Sequence, residues 1–116
     1  MPVITLRLIS GDVELYKSCR EIIAVQAGGT WRIVTGLPAA ESDEDLYIWD
    51  YSDTFVFPES IHHDPAKHMF LVDRRSAARV REQAPFSDVL LKPVTRATLT
   101  AFLGLPLRAH GRSHVR

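Results

Sequence analysis

A chain of 116 residues, 46% hydrophobic and 24% charged, suits one globular domain with a single core. No apolar run approaches the ~20 residues of a membrane helix and the N-terminus lacks a secretory pattern, so a cytoplasmic protein with no membrane partner is expected. The single cysteine excludes an internal disulfide and a cysteine-based zinc site, and the net charge of zero hides a split, −7 over residues 1–66 and +7 over 67–116.

Val3 to Ile9 reads as a first strand, Ile4, Leu6 and Leu8 alternating with Thr5 and Arg7. Ser10-Gly11-Asp12 breaks it, and Asp12 is a cap for a helix from about Val13 to Gln26. Leu15, Cys19, Ile22, Ile23 and Gln26 fall at helical spacing, which makes Cys19 a small core residue. Gly28-Gly29 ends that helix. Trp31 to Thr35 is a second strand. The acidic stretch 36–45, with Pro38, has room for only a stub of helix. Leu46 to Trp49 is a third strand, closed by Asp50. Residues 51–68 carry Pro58, Pro65, Phe55, Phe57 and three histidines, and they support a helix weakly.

Met69 to Val72 is a compact apolar run, a fourth strand closed by Asp73. Ser76 to Ala84 suits a short helix with Ala77, Val80 and Ala84 on one face, stopped by Pro85. Val89 to Leu91 is a fifth strand ending at Lys92. Thr95 caps a last helix through Leu103, which Gly104 and Pro106 are expected to end. The domain then spans residues 1–106, and 107–116 reads as a basic tail or linker to a further domain.

Strand and helix alternate about five times. Short apolar strands followed by helices imply a parallel sheet covered on both faces. Ligands on such sheets bind beyond the C-terminal strand ends. Those ends read Ser10-Gly11-Asp12, Asp50, Asp73 and Lys92. Carboxylates gathered around a lysine suit a divalent cation, since Mg²⁺ takes oxygen ligands. They also suit a phosphoryl group, because a carboxylate can be the nucleophile that becomes an aspartyl phosphate.

The order strand–acid–helix, "LYIWD" and "VLLKPVT" resembles the receiver domain of two-component response regulators, over about Ile4 to Leu103. The resemblance implies a flavodoxin-like, doubly wound sheet of five parallel strands in the order 2-1-3-4-5, here with shortened or irregular second and third helices. It implies a signalling module, not an enzyme, that takes a phosphoryl group at Asp50 from a histidine kinase or phosphotransfer protein. Lys92 would pair with the phosphoryl oxygen, Pro93 would follow it structurally, often after a cis bond, and Mg²⁺ would lie near Asp12, Asp50 and the backbone of Ser52. A downstream output or kinase domain and a homodimer are the further partners it implies. The family commonly pairs through its fourth helix, fifth strand and fifth helix.

Departures from that pattern leave a second reading open, a pseudo-receiver that binds partners or dimerises without phosphorylation. Ser10 and Gly11 stand where the family has two adjacent acids, and Asp12 comes one step late. Asp73 stands where it has Ser or Thr, and Val89 where it has a switch aromatic. A carboxylate ~5 Å from a phosphoryl group costs roughly 3 kcal/mol per unit charge at an effective dielectric near 20. Asp73 facing the site would therefore oppose phosphorylation, and would pair with Lys92 instead. A third class, a small flavodoxin-like enzyme or nucleotide binder, lacks its Gly-rich phosphate loop here.

Other features read more plainly. His62-His63-Asp64 with His68 holds good zinc ligands but matches no defined spacing, and a polar surface loop is the simpler expectation. His110 and His114 sit in the tail. Trp31, Trp49, Phe55 and Phe57 are core or interface residues, and an exposed Phe55/Phe57 pair would be a docking site. The arginines of the second half form no dense run, so a solvated helix face accounts for most of them and direct nucleic-acid binding is not expected.

Overall fold

The computed structural model describes residues 4–27, 31–38, 44–51 and 64–113. Five strands form one parallel sheet: β1 (Ile4–Ile9), β2 (Trp31–Thr35), β3 (Leu46–Asp50), β4 (His68–Val72) and β5 (Asp88–Leu91). Their order is β2-β1-β3-β4-β5, the flavodoxin-like arrangement. Among the described residues there are three α-helices, α1 (Val13–Ala27), α2 (Arg74–Gln83) and α3 (Arg96–Ser113), and a single 3₁₀ turn at Pro65–Lys67. None is long and apolar enough to cross a membrane. The expected weak helices before β3 and β4 fall largely on 39–43 and 52–63, outside the described residues, as do Gly28-Gly29, Ser52, Phe55, Phe57, His62, His63 and His114.

The strand side chains alternate between two faces, and each face has its own core. On one, Leu6, Leu8, Ile48, Met69 and Leu71 meet Cys19, Ile22 and Ile23 of α1 and Leu99 and Leu103 of α3. On the other, Tyr47, Trp49, Phe70 and Val72 meet Ala77 and Val80 of α2. Trp31 and Trp49 are both buried, so they are core residues. β4 is buried at every position, as expected of a central strand covered on both faces. Cys19 is fully buried, which pushes its thiol up to about 12 and leaves it inert at neutral pH.

The element boundaries shift by a residue or two, with one larger exception. α2 begins at Arg74 rather than Ser76, because Asp73 caps it: its carboxylate accepts from the Ser76 N–H at 2.8 Å. The last helix does not end at Gly104 and Pro106. α3 continues to Ser113, so residues 107–113 are helical rather than an irregular tail. A proline removes one helical hydrogen bond and its ring crowds the carbonyl four residues back, a local cost that a helix begun by well-packed residues can carry through. Gly36, with φ of +94°, supplies the turn out of β2.

The half-buried face of β1 holds one charge, Arg7, which the alternation places opposite Leu6 and Leu8. Arg7 reaches Glu44, just before β3, with Nε at 2.7 Å and Nη2 at 2.6 Å from Oε1. Arg7 Nη1 donates to the Thr35 and Gly36 carbonyls at 2.9 and 3.2 Å. Burial raises the Glu44 carboxyl, but its bonds with Arg7 outweigh this and hold it below its ordinary value.

Candidate functional site

Period two along the strands places Ser10 in phase with Leu6 and Leu8, Asp50 with Leu46 and Ile48, and Lys92 with Leu90. All three therefore emerge on the face covered by α1 and α3. The sheet ladder runs one step past the strand ends and fixes their positions. Tyr51 N donates to Leu71 O at 2.9 Å, and Lys92 N donates to Val72 O at 2.7 Å. Asp50 and Lys92 thus flank the end of β4, close enough for their side chains to meet.

The side chains do meet. Lys92 Nζ forms an ion pair with Asp50 Oδ1, a buried oxygen that the ammonium approaches outside hydrogen-bond geometry. Ser10 Oγ donates to Asp50 Oδ2 at 2.6 Å and itself accepts from the Asp12 N–H at 3.1 Å. Both oxygens of Asp50 are accordingly engaged, one by a cation and one by a hydroxyl. The Asp50 side chain is 21% exposed and that of Lys92 36%, so solvent screens the pair in part. The Lys92–Pro93 bond is cis.

Of the other two acids expected here, Asp12 stays beside the site but is engaged as a helix cap, and Asp73 turns away. Asp12 caps α1, its Oδ1 accepting from Glu14 N at 3.0 Å and Leu15 N at 3.2 Å. Asp73 is exposed and committed to the N-terminus of α2. Its bond from Ser76 N, with smaller help from the charge of Arg75, holds its carboxyl below the ordinary 3.8. The expected pairing of Asp73 with Lys92 does not form: among the described residues Lys92 pairs with Asp50. The reason lies in chain direction. After Val72 the chain turns toward α2 on the opposite face of the sheet, and the acid goes with it.

A cleft of about 280 Å³ opens beside the pair, between the start of α1 and the turn from β5 to α3. Leu15, Leu71, Val94 and Leu99 are among its apolar lining, and Asp12, Asp50 and Lys92 among its polar lining. Among the described residues no three His, Cys, Asp or Glu side chains come together as metal ligands. With Asp50 engaged by Ser10 and Lys92, and Asp12 by its own helix, these residues do not fit a Mg²⁺ centre. Ser52, the third expected ligand, lies outside the described residues.

His68 does not belong to a surface zinc loop. It is buried in β4, stacks on Tyr47 at 4.8 Å, and its Nδ1 accepts from Trp49 Nε1 at 2.9 Å. The residue that sequence reading passed over is Ser10. It registered only as a missing acid, although its phase with Leu6 and Leu8 already placed it on the Asp50 side of the sheet. No protein-family model matches the chain, and no curated protein matches it.

Proposed function

We propose that this chain is a receiver-type signalling module of the two-component kind, in its pseudo-receiver form: a binding module and not an enzyme. The observation that carries this reading is the state of Asp50, whose Oδ2 accepts from the Ser10 hydroxyl and whose Oδ1 is ion-paired with Lys92. A carboxylate so engaged is a poor nucleophile and has no need of a phosphoryl group to balance Lys92. The module would act through partners, a kinase or phosphotransfer protein, a downstream domain or a second copy, in a cytoplasmic setting.

A second reading, Asp50 as phospho-acceptor, is favoured by one observation. Asp73 is turned away, so the like charge that would oppose a phosphoryl group is not in front of it. Incubation with acetyl phosphate and Mg²⁺, followed by intact-mass measurement, separates the two. The pseudo-receiver reading expects no mass increment in the unaltered chain. A single phosphoryl increment that disappears in Asp50→Asn would sink it and establish the second.

A further inference from the structure

The cleft beside Asp50 carries more charge than the Asp50–Lys92 pair accounts for, and the charge is sorted by wall. Asp12 and Glu14 stand on the wall made by the start of α1. Lys92 and Arg96 stand on the wall made by the turn from β5 to α3. The apolar lining includes Leu71, fully buried in β4, and Leu99, which is 1% exposed.

Part of that charge is unspent. Asp12 caps α1 through Oδ1 alone, which leaves Oδ2. Among the described residues Arg96 binds Glu21 through Nη1 alone, at 2.7 Å, which leaves Nε and Nη2 of its planar fork. The Arg96 and Glu21 side chains are 57% and 53% exposed, so solvent screens the pair and a competing carboxylate displaces it at little cost. Lys92, by contrast, is neutralised by Asp50.

Each simpler ligand meets an obstacle here. An anion faces Asp12, Glu14 and Asp50, and a cation faces Lys92 and Arg96. A wholly apolar molecule strips water from both walls and returns no hydrogen bonds. A zwitterion with an apolar side chain meets none of these obstacles. We infer that the cleft binds a small aliphatic α-amino acid, its ammonium on the α1 acids, its carboxylate on Arg96 and its side chain on Leu71 and Leu99. The size agrees. Water takes ~30 Å³ per molecule in the liquid, so a cleft of about 280 Å³ holds a molecule of about nine non-hydrogen atoms, the size of leucine. The inference rests on the pseudo-receiver reading: with Asp50 held by Ser10 and Lys92, the input to the module is a small molecule in place of a phosphoryl group.

The experiment titrates L-leucine into the full chain, with no Mg²⁺ or phosphodonor present, and follows the backbone amides by NMR. Saturable shifts at the Leu15 and Val94 amides are expected. Isocaproate lacks the ammonium and isoamylamine lacks the carboxylate, and each should bind about tenfold or more weakly than leucine. Arg96→Gln should weaken leucine binding by about tenfold or more and leave isoamylamine binding no weaker. Glu21→Gln breaks the same ion pair but keeps Arg96 in the cleft, so this variant should bind leucine at least as tightly as the unaltered chain. The inference is overturned by the absence of saturable shifts, by either analogue binding as tightly as leucine, by unchanged leucine binding in Arg96→Gln, or by an equal loss in Glu21→Gln. Since no phosphodonor is present, such a failure leaves the reading of Asp50 to its own mass measurement.

Discussion

Ser10 decides what kind of site the strand ends make. A hydroxyl there donates to Asp50 Oδ2, whereas a carboxylate would repel it and require a cation between them. Ser10→Ala leaves that oxygen without its donor and should lower stability by about 1–2 kcal/mol, read as a lower urea midpoint at unchanged slope. Ser10→Asp adds a third carboxylate beside Asp12 and Asp50. This variant should gain a Mg²⁺-dependent rise in melting temperature that the unaltered chain does not show. If Mg²⁺ raises both equally, Ser10 is not what keeps the metal out. Arg7 and Glu44 form a polar contact whose loss has a pH signature. Glu44 is held below its ordinary 4.5, so its contribution is complete above that pH and is lost as pH falls through its lowered value. Glu44→Gln should therefore lower stability at pH 7 by about 1–3 kcal/mol, and its difference from the unaltered chain should shrink as pH falls below about 4.5. Denaturant titrations at pH 7 and pH 3.5 check the sign.

At the scale of the element, the acids after strands have two destinies, and the following helix separates them. Asp12 and Asp73 each precede a helix start, and each was taken up as its cap. Asp50 precedes no helix start among the described residues, and its carboxylate faces the site instead. Asp73→Ala should lower the melting temperature and shorten α2, while Asp73→Asn, which also caps well, should restore most of the loss. Because the cap holds the Asp73 carboxyl below 3.8, its stabilising effect is present above that pH and fades in stronger acid. Strand positions were legible because apolar alternation and short apolar runs survive any context. Helix ends were less so. Gly104 and Pro106 carry strong local stop signals, yet α3 passes through both, since Leu99 and Leu103 had already anchored it to the sheet.

For the molecule as a whole, α1 and α3 close one face of the sheet and also wall the cleft beside Asp50. Leu99 belongs to both: it is 1% exposed in the core and lines the cleft. Leu99→Ala should cost about 3 kcal/mol through the cavity it leaves. It should also enlarge the cleft, so a chemical melt and a titration with a small apolar fluorophore should move together. A melt shift with no change in fluorophore binding would separate the core from the cleft. The uneven charge belongs to this scale too. Its positive half is shared between α2, with four arginines, and the β5–α3 end of the chain.

The sequence by itself determined five parallel strands, their alternation of faces, and the arrival of Asp50 and Lys92 at one edge, because periodicity and chain order leave few other packings. It did not determine which oxygen meets which donor. That Asp73 turns to α2, that Ser10 donates to Asp50, and that His68 is a buried acceptor for Trp49 were decided only in three dimensions. Each depends on which of several partners within reach a polar group finds once the chain has turned. The Asp73 cap is local, but Ser10 and Asp50 lie 40 positions apart and Trp49 and His68 lie 19 apart, separations that no local pattern encodes.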